Sequence, residues 1–210
     1  MTLLRRTPPG RAGRLWLRRR LRTAEQGREQ LDRKLRILLP ELEARRAAAD
    51  GRRAEWGTTC AQAETWLLRA ALLGGQDALR CAAAAAPARV EISWITRMGL
   101  RYPDDAAVVG PAQQPATGAV VNAATGPARE AARAALEAGV RTAAAEEAVR
   151  RLEAEVEATR RRLRALDERW LPSLRAALVG LELSLAQAEQ EDALRLRRAA
   201  PTAAARSDPP

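Results

Sequence analysis

The chain has 210 residues, of which 30% are charged, 3% are aromatic and none is histidine or phenylalanine, and its formal net charge is +10. Without histidine it cannot form a Ser-His-Asp triad, a Cys-His nucleophile pair or an imidazole metal site. Hydrophobic residues make up 47% of the chain, but many are alanine, so the large side chains that fill a globular core are scarce. The composition predicts an elongated helical protein without catalytic chemistry of its own.

The positive charge is concentrated at the N-terminal end. Residues 1–36 contain twelve basic and three acidic side chains, whereas the rest of the chain is nearly balanced. Such a basic region is typical of a solvated helix, or of one that binds nucleic acid, an anionic membrane or an acidic protein cavity. Trp16 is the single aromatic residue in this region, so the alternation of aromatic and basic residues that a single-strand binder uses is nearly absent.

The cysteines and the uncharged segments favour a soluble protein. Cys60 and Cys81 form neither a metal-binding motif nor a disulfide framework, which favours a reducing compartment. The N-terminus lacks the apolar segment of a secretory signal. The uncharged run over residues 106–128 has the length of a membrane span but contains three prolines and three glycines. We therefore expect a soluble, cytoplasmic protein.

A first long helix is predicted over residues 11–75. Its apolar residues recur at alternating spacings of three and four, which is the heptad pattern of a coiled coil. Pro40 should kink or locally strain this helix, and Gly74 and Gly75 provide a C-terminal stop. A short second helix is predicted over residues 76–86. The seam residues of the long helix are Leu21, Ala24, Leu31 and Leu35, followed by Leu38 and Leu42.

The middle segment, residues 76–127, contains the part of the chain with β character. Apolar residues cluster from Val90 to Ile95 and from Leu100 to Tyr102, on either side of Arg97-Met98-Gly99. This pattern predicts two short strands joined in a hairpin, with the rest of the segment as a loop. Because an isolated hairpin is marginal in water, we expect it to pack on the helices or on a partner.

A second long helix is predicted over residues 128–200. Its seam changes to three successive steps of four between Leu166 and Leu178, a stutter that locally unwinds a left-handed supercoil, and Pro172 lies within it. The seam residues selected from this helix are Leu163, Leu166, Leu181 and Leu185.

Neither long helix could bury its apolar stripe alone. The economical fold is mostly α: a long antiparallel two-helix coiled-coil hairpin with a small middle segment bearing a short β-hairpin. Residues 1–10 are expected to form a basic tail and residues 201–210 a disordered tail. The two termini would lie side by side, which places the basic N-terminal residues beside Arg195, Arg197 and Arg198.

Motifs that carry chemistry are not found. No GxxxxGK[ST] phosphate-binding loop occurs, and the paired acids at 104–105, 146–147 and 191–192 are typical of solvated faces. Periodicity alone predicts a coiled coil of unknown purpose.

Two stretches resemble the D subunit, the central rotor shaft, of the vacuolar-type and archaeal-type rotary ATPases and ATP synthases. The resemblance extends over residues 11–200. The matching positions are Leu21, Ala24, Gly27, Leu31, Lys34 and Leu38 in the first helix, and Arg161, Arg162, Leu163, Leu166, Asp167, Pro172, Glu189, Glu191, Asp192, Leu196, Arg197 and Arg198 in the second.

The resemblance implies a non-catalytic central-stalk subunit that couples ATP synthesis or hydrolysis to translocation of protons or sodium ions. The implied partners are the A and B subunits of the catalytic hexamer, the small F subunit of the stalk and the socket subunit that links the shaft to the membrane ring. The implied location is the cytoplasmic face of the cell membrane, as a peripheral subunit, with neither a cofactor nor nucleic acid bound. The alternative is a basic coiled-coil scaffold that binds nucleic acid or an anionic membrane surface.

Two sets of contact residues follow from the resemblance together with the charge distribution. The bore of the hexamer is expected to contact Arg14, Arg18, Arg22, Lys34, Glu191, Arg195, Arg197 and Arg198. The small F subunit or the socket is expected to contact Val90, Ile92, Trp94, Ile95 and Tyr102.

Overall fold

The computed structural model describes residues 8–82, 87–110 and 122–204. These residues fold in two compact units. We call them the terminal unit, which belongs to Met1–Arg33 and Thr159–Pro210, and the central unit, which belongs to Lys34–Ala158. The elements in chain order are helix α1 (Gly10–Ala82), strands β1 (Arg89–Arg97) and β2 (Leu100–Val109), helix α2 (Thr125–Ala165), a π-helical turn (Leu166–Trp170) and helix α3 (Leu171–Ala204).

In the central unit, α1 and α2 run antiparallel. Residue numbers rise along α1 as those of their partners on α2 fall, and the ion pairs follow this order. The cross-helix pairs are Lys34–Glu155 at 2.7 Å, Arg46–Glu153 at 2.6 Å and Arg53–Glu146 at 2.6 Å.

The core between these two helices is rich in alanine, as the composition predicts. Small side chains at the contact let two helices approach closely. Leucines also belong to this core, and Leu38 and Leu152 are fully buried. The buried alanines on the two helices are Ala49, Ala63, Ala70, Ala128, Ala138, Ala144, Ala145 and Ala148.

In the terminal unit, α1 packs antiparallel on α3 and on the π-helical turn. Leu17, Leu171 and Leu174 form its buried apolar contacts. Both units therefore contain an antiparallel helix pair, and the predicted mostly α hairpin with a small two-stranded sheet is confirmed. The ion pairs in this unit are Arg11–Glu189 at 3.1 Å, Arg18–Glu182 at 2.7 Å, Glu25–Arg175 at 3.0 Å and Arg28–Asp167 at 2.7 Å.

The predicted β-hairpin is confirmed. Met98 and Gly99 form the two-residue turn with φ values of 49° and 78°, the positive values that suit the right-handed twist of the strands. The sequence-based prediction of a loop from residue 103 onward is wrong over residues 103–109, because β2 continues to Val109. The register shifts between Ser93 and Trp94.

The helix interruptions differ in part from the predictions. Gly75 has φ 69° and ψ −175°, so the predicted stop is a break, after which helix resumes up to Ala82. The predicted distortion at Pro40 does not interrupt α1, whose backbone angles are non-helical at Gly75 and not at Pro40. Residues 83–86 of the predicted short helix lie outside the described residues.

The predicted stutter coincides with the π-helical turn Leu166–Trp170. The N–H of Leu171 donates to the carbonyl of Leu166, five residues back, and Pro172 follows directly. Proline has no N–H and its ring crowds the carbonyl four residues earlier, so one hydrogen bond of a regular helix is lost at Pro172, and the π-helical turn lies directly before this position. The helix nevertheless continues to Ala204, beyond the predicted end, and α2 begins at Thr125, before the predicted start. The remaining predicted tails and residues 111–121 lie outside the described residues.

Candidate interaction surfaces

A polar network fastens the β-hairpin to α1. Oε1 of Glu41 accepts hydrogen bonds from the hydroxyl of Tyr102 and from Nε of Arg45, each at 2.9 Å. Nη1 of Arg97 lies 3.1 Å from the other carboxylate oxygen of Glu41. Arg45 also reaches Asp104 on β2 at 2.6 Å. One carboxylate on the helix thus joins residues of both strands.

The network keeps Glu41 ionised and Tyr102 neutral. Burial opposes ionisation of Glu41, but the hydrogen bonds from Arg45 and Tyr102 and the charge of Arg97 outweigh it, so the pKa of Glu41 lies below its ordinary value. Burial and the hydrogen bond to Glu41 raise the pKa of Tyr102. At neutral pH these residues therefore keep fixed protonation states, and we call Glu41 with its partners Tyr102, Arg45 and Arg97 the clamp.

Tyr102 does not belong to the surface where the sequence predicts it. Its side chain is fully buried and its hydroxyl is bonded to Glu41, so we remove it from the expected partner contacts. Glu41 and Arg45 were missed by the sequence analysis, although their spacing of four on a helix is a recognisable ion-pair signal. Their link to Tyr102 depends on the docking of the hairpin, which no local pattern shows.

The outer strand of the hairpin carries the other four predicted contact residues. Val90, Ile92 and Trp94 are 48%, 45% and 40% exposed, and Ile95 is half-buried. The ring of Trp94 is held between two guanidinium groups, with Arg101 at 4.8 Å and Arg151 at 5.1 Å from the ring centre. Val90, Ile92 and Trp94 therefore share one exposed face of β1, on which Trp94 is fixed, whereas Ile95 lies on the opposite face, in register with the buried Tyr102.

The residues expected to contact a hexamer bore divide between the two units. Lys34 lies in the central unit, where it pairs with Glu155. In the terminal unit Arg18 pairs with Glu182, and Arg195 lies within 3.8 Å of Glu191 in its own helix.

The remaining arginines of that set differ in burial. Nε of Arg14 is buried and has no hydrogen-bond partner among the described residues. By contrast, Arg22, Arg197 and Arg198 are exposed. The arginines of the terminal unit therefore include paired side chains, exposed side chains and one, Arg14, that is half-buried with a buried Nε.

A groove in the terminal unit is lined by two tryptophans, Trp16 and Trp170, that lie far apart in the sequence. We call it the tryptophan groove, and it encloses about 440 Å³. The guanidinium carbon of Arg20 lies 5.1 Å from the ring centre of Trp16 and 5.8 Å from that of Trp170. The spacing of four between Trp16 and Arg20 could have revealed half of this arrangement. Its lining residues are Trp16, Arg19, Arg20, Thr23, Ala24, Trp170 and Leu174.

A second groove, in the central unit, is more apolar. It encloses about 500 Å³ beside Trp66, whose ring is covered by Arg69 at 4.7 Å. Leu72 and Leu73 line it and are 78% and 66% exposed. The sequence analysis predicts only a helix stop at Gly74 and Gly75 here and does not reveal this exposed apolar surface.

The described parts of the chain contain neither a metal-binding cluster nor a membrane-spanning helix. No group of three or more Cys, Asp or Glu side chains there could hold a metal ion. Nor does any helix within those parts combine the length and hydropathy that crossing a bilayer requires.

Comparison with known proteins identifies the family. No curated protein sequence matches the chain. The family model for the D subunit of ATP synthase matches residues 15–200, a range that includes both helix pairs and the β-hairpin. The chain therefore belongs to the ATP synthase D-subunit family.

Proposed function

We propose that this chain is the non-catalytic central rotor shaft of a V-type or A-type rotary ATPase or ATP synthase. It would couple ATP synthesis or hydrolysis in a hexamer of A and B subunits to the movement of protons or sodium ions across a membrane. The observation that carries the proposal is the family match over residues 15–200, together with antiparallel helix pairs in both units.

The construction of the helix pairs suits a part that transmits torque. Ion pairs cross between the helices in both units, and an alanine-rich core holds them close in the central unit. A shaft acts by pressing unequally on the sites around it, so that each site changes its nucleotide affinity in turn. This task requires stiffness and an uneven surface and does not require a nucleophile.

The terminal unit is the part that we propose enters the hexamer. Exposed ion pairs contribute about 0.2–1 kcal/mol and exchange readily, whereas breaking a buried pair costs roughly 3–5 kcal/mol and would resist rotation. Exposed arginines facing carboxylates of a bore would therefore guide the shaft without locking it. The proposed contacts are Arg14, Arg18, Arg22, Glu191, Arg195, Arg197 and Arg198, with Lys34 at the edge of the central unit.

The exposed face of β1 is the proposed docking surface for the small F subunit or the socket subunit. Val90, Ile92 and Trp94 supply apolar area, and the arginines that hold the Trp94 ring reduce the entropy lost on binding. With these contacts the protein would lie at the cytoplasmic face of the membrane as a peripheral subunit.

Co-expression with the A, B and F subunits of the same complex tests the proposal. The full chain should co-purify with the hexamer and with the F subunit. Failure to co-purify with either would contradict it.

A double variant separates the two surfaces. Val90→Ser together with Ile92→Ser should release the F subunit or the socket while the hexamer is retained. Leu136→Ser, which removes another exposed apolar side chain of the central unit, is the matched control and should retain every partner.

A further inference from the structure

We infer that the tryptophan groove is a docking site for a carboxylate side chain of a neighbouring protein, with Arg20 as the residue that binds it. The identity of the neighbour rests on the proposed function, whereas the chemistry of the site rests on the groove itself.

The first observation is the way Arg20 is held. Its guanidinium group lies over the ring of Trp16 on α1 and over that of Trp170 on the π-helical turn. Stacking of this kind uses the faces of the planar cation, while its N–H donors lie in the plane and point outward from its edge. The guanidinium group is therefore held beside two indoles, and its N–H donors have no hydrogen-bond partner among the described residues.

The second observation is that the charge of the groove is not neutralised. Neither Arg19 nor Arg20 forms an ion pair with another residue that the structure describes, and no lining residue is acidic. The hydroxyl of Thr23 donates to the carbonyl of Arg19 at 3.1 Å, so this polar side chain is already bonded to its own helix. Arginines elsewhere in the same unit do pair internally, as Arg18 does with Glu182. The groove thus keeps two positive charges, which favour an anion.

The third observation concerns the shape and walls of the groove. Ala24, Leu174 and the two indoles make most of the lining apolar. A glutamate or aspartate fits this combination, because its planar carboxylate matches the guanidinium fork and its methylene groups match the apolar walls. A polynucleotide would instead require cations spread along an extended track with bases stacked between them.

The position of Trp170 supports an external partner. A regular seam predicts that this tryptophan points into the helix contact, yet it is 37% exposed. It is the last residue of the π-helical turn, where the extra residue per turn alters the direction of the side chains. A large exposed indole beside a stacked cation is typical of a binding surface.

Binding of the full chain to the hexamer of A and B subunits, measured at low and high salt, provides the test. Arg20→Gln should bind about tenfold more weakly at low salt and lose part of the salt dependence, because a charge-assisted contact is removed. Arg20→Lys keeps the charge without the fork and should show an intermediate loss. Arg33→Gln, which removes another exposed arginine of the terminal unit, is the matched control and should stay within about twofold.

Thermal unfolding of the same variants distinguishes docking from a merely structural role. If Arg20→Gln binds as tightly as Arg33→Gln, or if its binding falls only at temperatures where it has begun to unfold, the inference is overturned. Should Arg20→Gln fail to fold, Arg20→Lys decides, and unchanged binding of that variant would equally reject the site.

A titration of the full chain alone keeps the test independent of the proposed rotor. Hexaglutamate should change the tryptophan emission of the parent chain, and Arg20→Gln should weaken that response about tenfold. Tighter binding of inorganic phosphate or ADP than of hexaglutamate, or an equal response of the variant, would contradict a carboxylate site. If hexaglutamate binds as expected while the hexamer does not bind the parent chain, the carboxylate site stands and the rotor proposal fails.

Discussion

Glu41 shows how a single side chain can attach a strand pair to a helix. Its carboxylate accepts bonds from Tyr102 and Arg45 and lies beside Arg97, so α1 and both strands share one anion. Nothing in the sequence around Glu41, which directly follows Pro40, indicates that this residue contacts both strands. At the scale of the residue, a charged network links the hairpin to α1.

Tyr102→Phe tests the contribution of the hydroxyl. The substitution should lower the free energy of unfolding by about 1.5–3 kcal/mol, because it removes a buried hydrogen bond to an ionised carboxylate. Urea denaturation of the full chain measures this value. Thr58→Ala removes an exposed hydroxyl bonded to its own helix, and its effect should be below about 0.5 kcal/mol. Equal effects of the two substitutions would contradict the role of the clamp.

The pH dependence of stability tests the ionisation of Glu41. Because its pKa is lower in the folded chain than the ordinary value of 4.5, the carboxylate stabilises the fold above that value. This contribution is lost as the pH falls through the lowered folded pKa. Glu41→Gln should therefore be less stable than the parent chain at pH 7 and lose less stability on acidification. Denaturation curves at neutral and acidic pH that shift in parallel for the two proteins would contradict this explanation.

Some of these contacts could be predicted from the sequence and others could not. Glu41 and Arg45 stand four apart, which is a local signal. Tyr102, by contrast, is buried where the hairpin meets α1, and its hydroxyl is bonded to Glu41, 61 residues earlier in the chain. No local pattern in the sequence reveals this long-range contact, which is why Tyr102 was expected at a partner surface.

At the scale of the element, the alanine-rich contact between α1 and α2 sets how closely the helices approach. Ala148 is fully buried on α2, whereas Ala143, five residues earlier, is exposed. The two positions share a helix and a residue type and differ in what they face. They provide a matched pair for testing the packing.

Ala148→Leu should destabilise the chain by about 1–3 kcal/mol, because a larger side chain must separate the helices or adopt a strained rotamer. Ala143→Leu should change the free energy of unfolding by less than about 0.5 kcal/mol. Thermal and urea unfolding measure both. If the two leucines were tolerated equally, the close packing of the helices at Ala148 would be refuted.

The periodicity of the sequence predicts some of the helices and strands better than others. The heptad spacing predicted both long helices, whereas the stop predicted at Gly74 and Gly75 is a break at Gly75, after which the helix resumes. The extension of β2 through Asp104 and Asp105 was missed because these residues have low strand propensity. Their charges are balanced by Arg45 and Arg52 across the contact with α1. The tryptophan groove was missed because its two indoles come from distant parts of the chain.

At the scale of the whole molecule, charge and family membership carry the functional proposal. The sequence of the terminal unit contains 20 basic and 10 acidic side chains, whereas that of the central unit contains 16 of each, so the whole net charge of +10 belongs to the terminal unit. Ion pairs such as Arg28–Asp167 use acids that this net value already counts, so the excess remains available to a partner. Such a concentration of charge favours an acidic partner at the terminal unit.

Replacement of Arg195, Arg197 and Arg198 together with Ala should impair coupling and leave assembly intact. These side chains are exposed near the C-terminal end of α3, so their removal should not unfold the chain. The ratio of ions transported to ATP hydrolysed, measured in reconstituted vesicles, should fall. An unchanged ratio in a fully assembled complex would show that these arginines do not transmit torque.

Rotation of the chain inside the hexamer tests the proposed function most directly. A bead attached to the full chain, observed in surface-fixed hexamers during ATP hydrolysis, should turn stepwise in one direction and stop when ATP is removed. A bead that remains still while the same hexamers hydrolyse ATP would contradict a rotor.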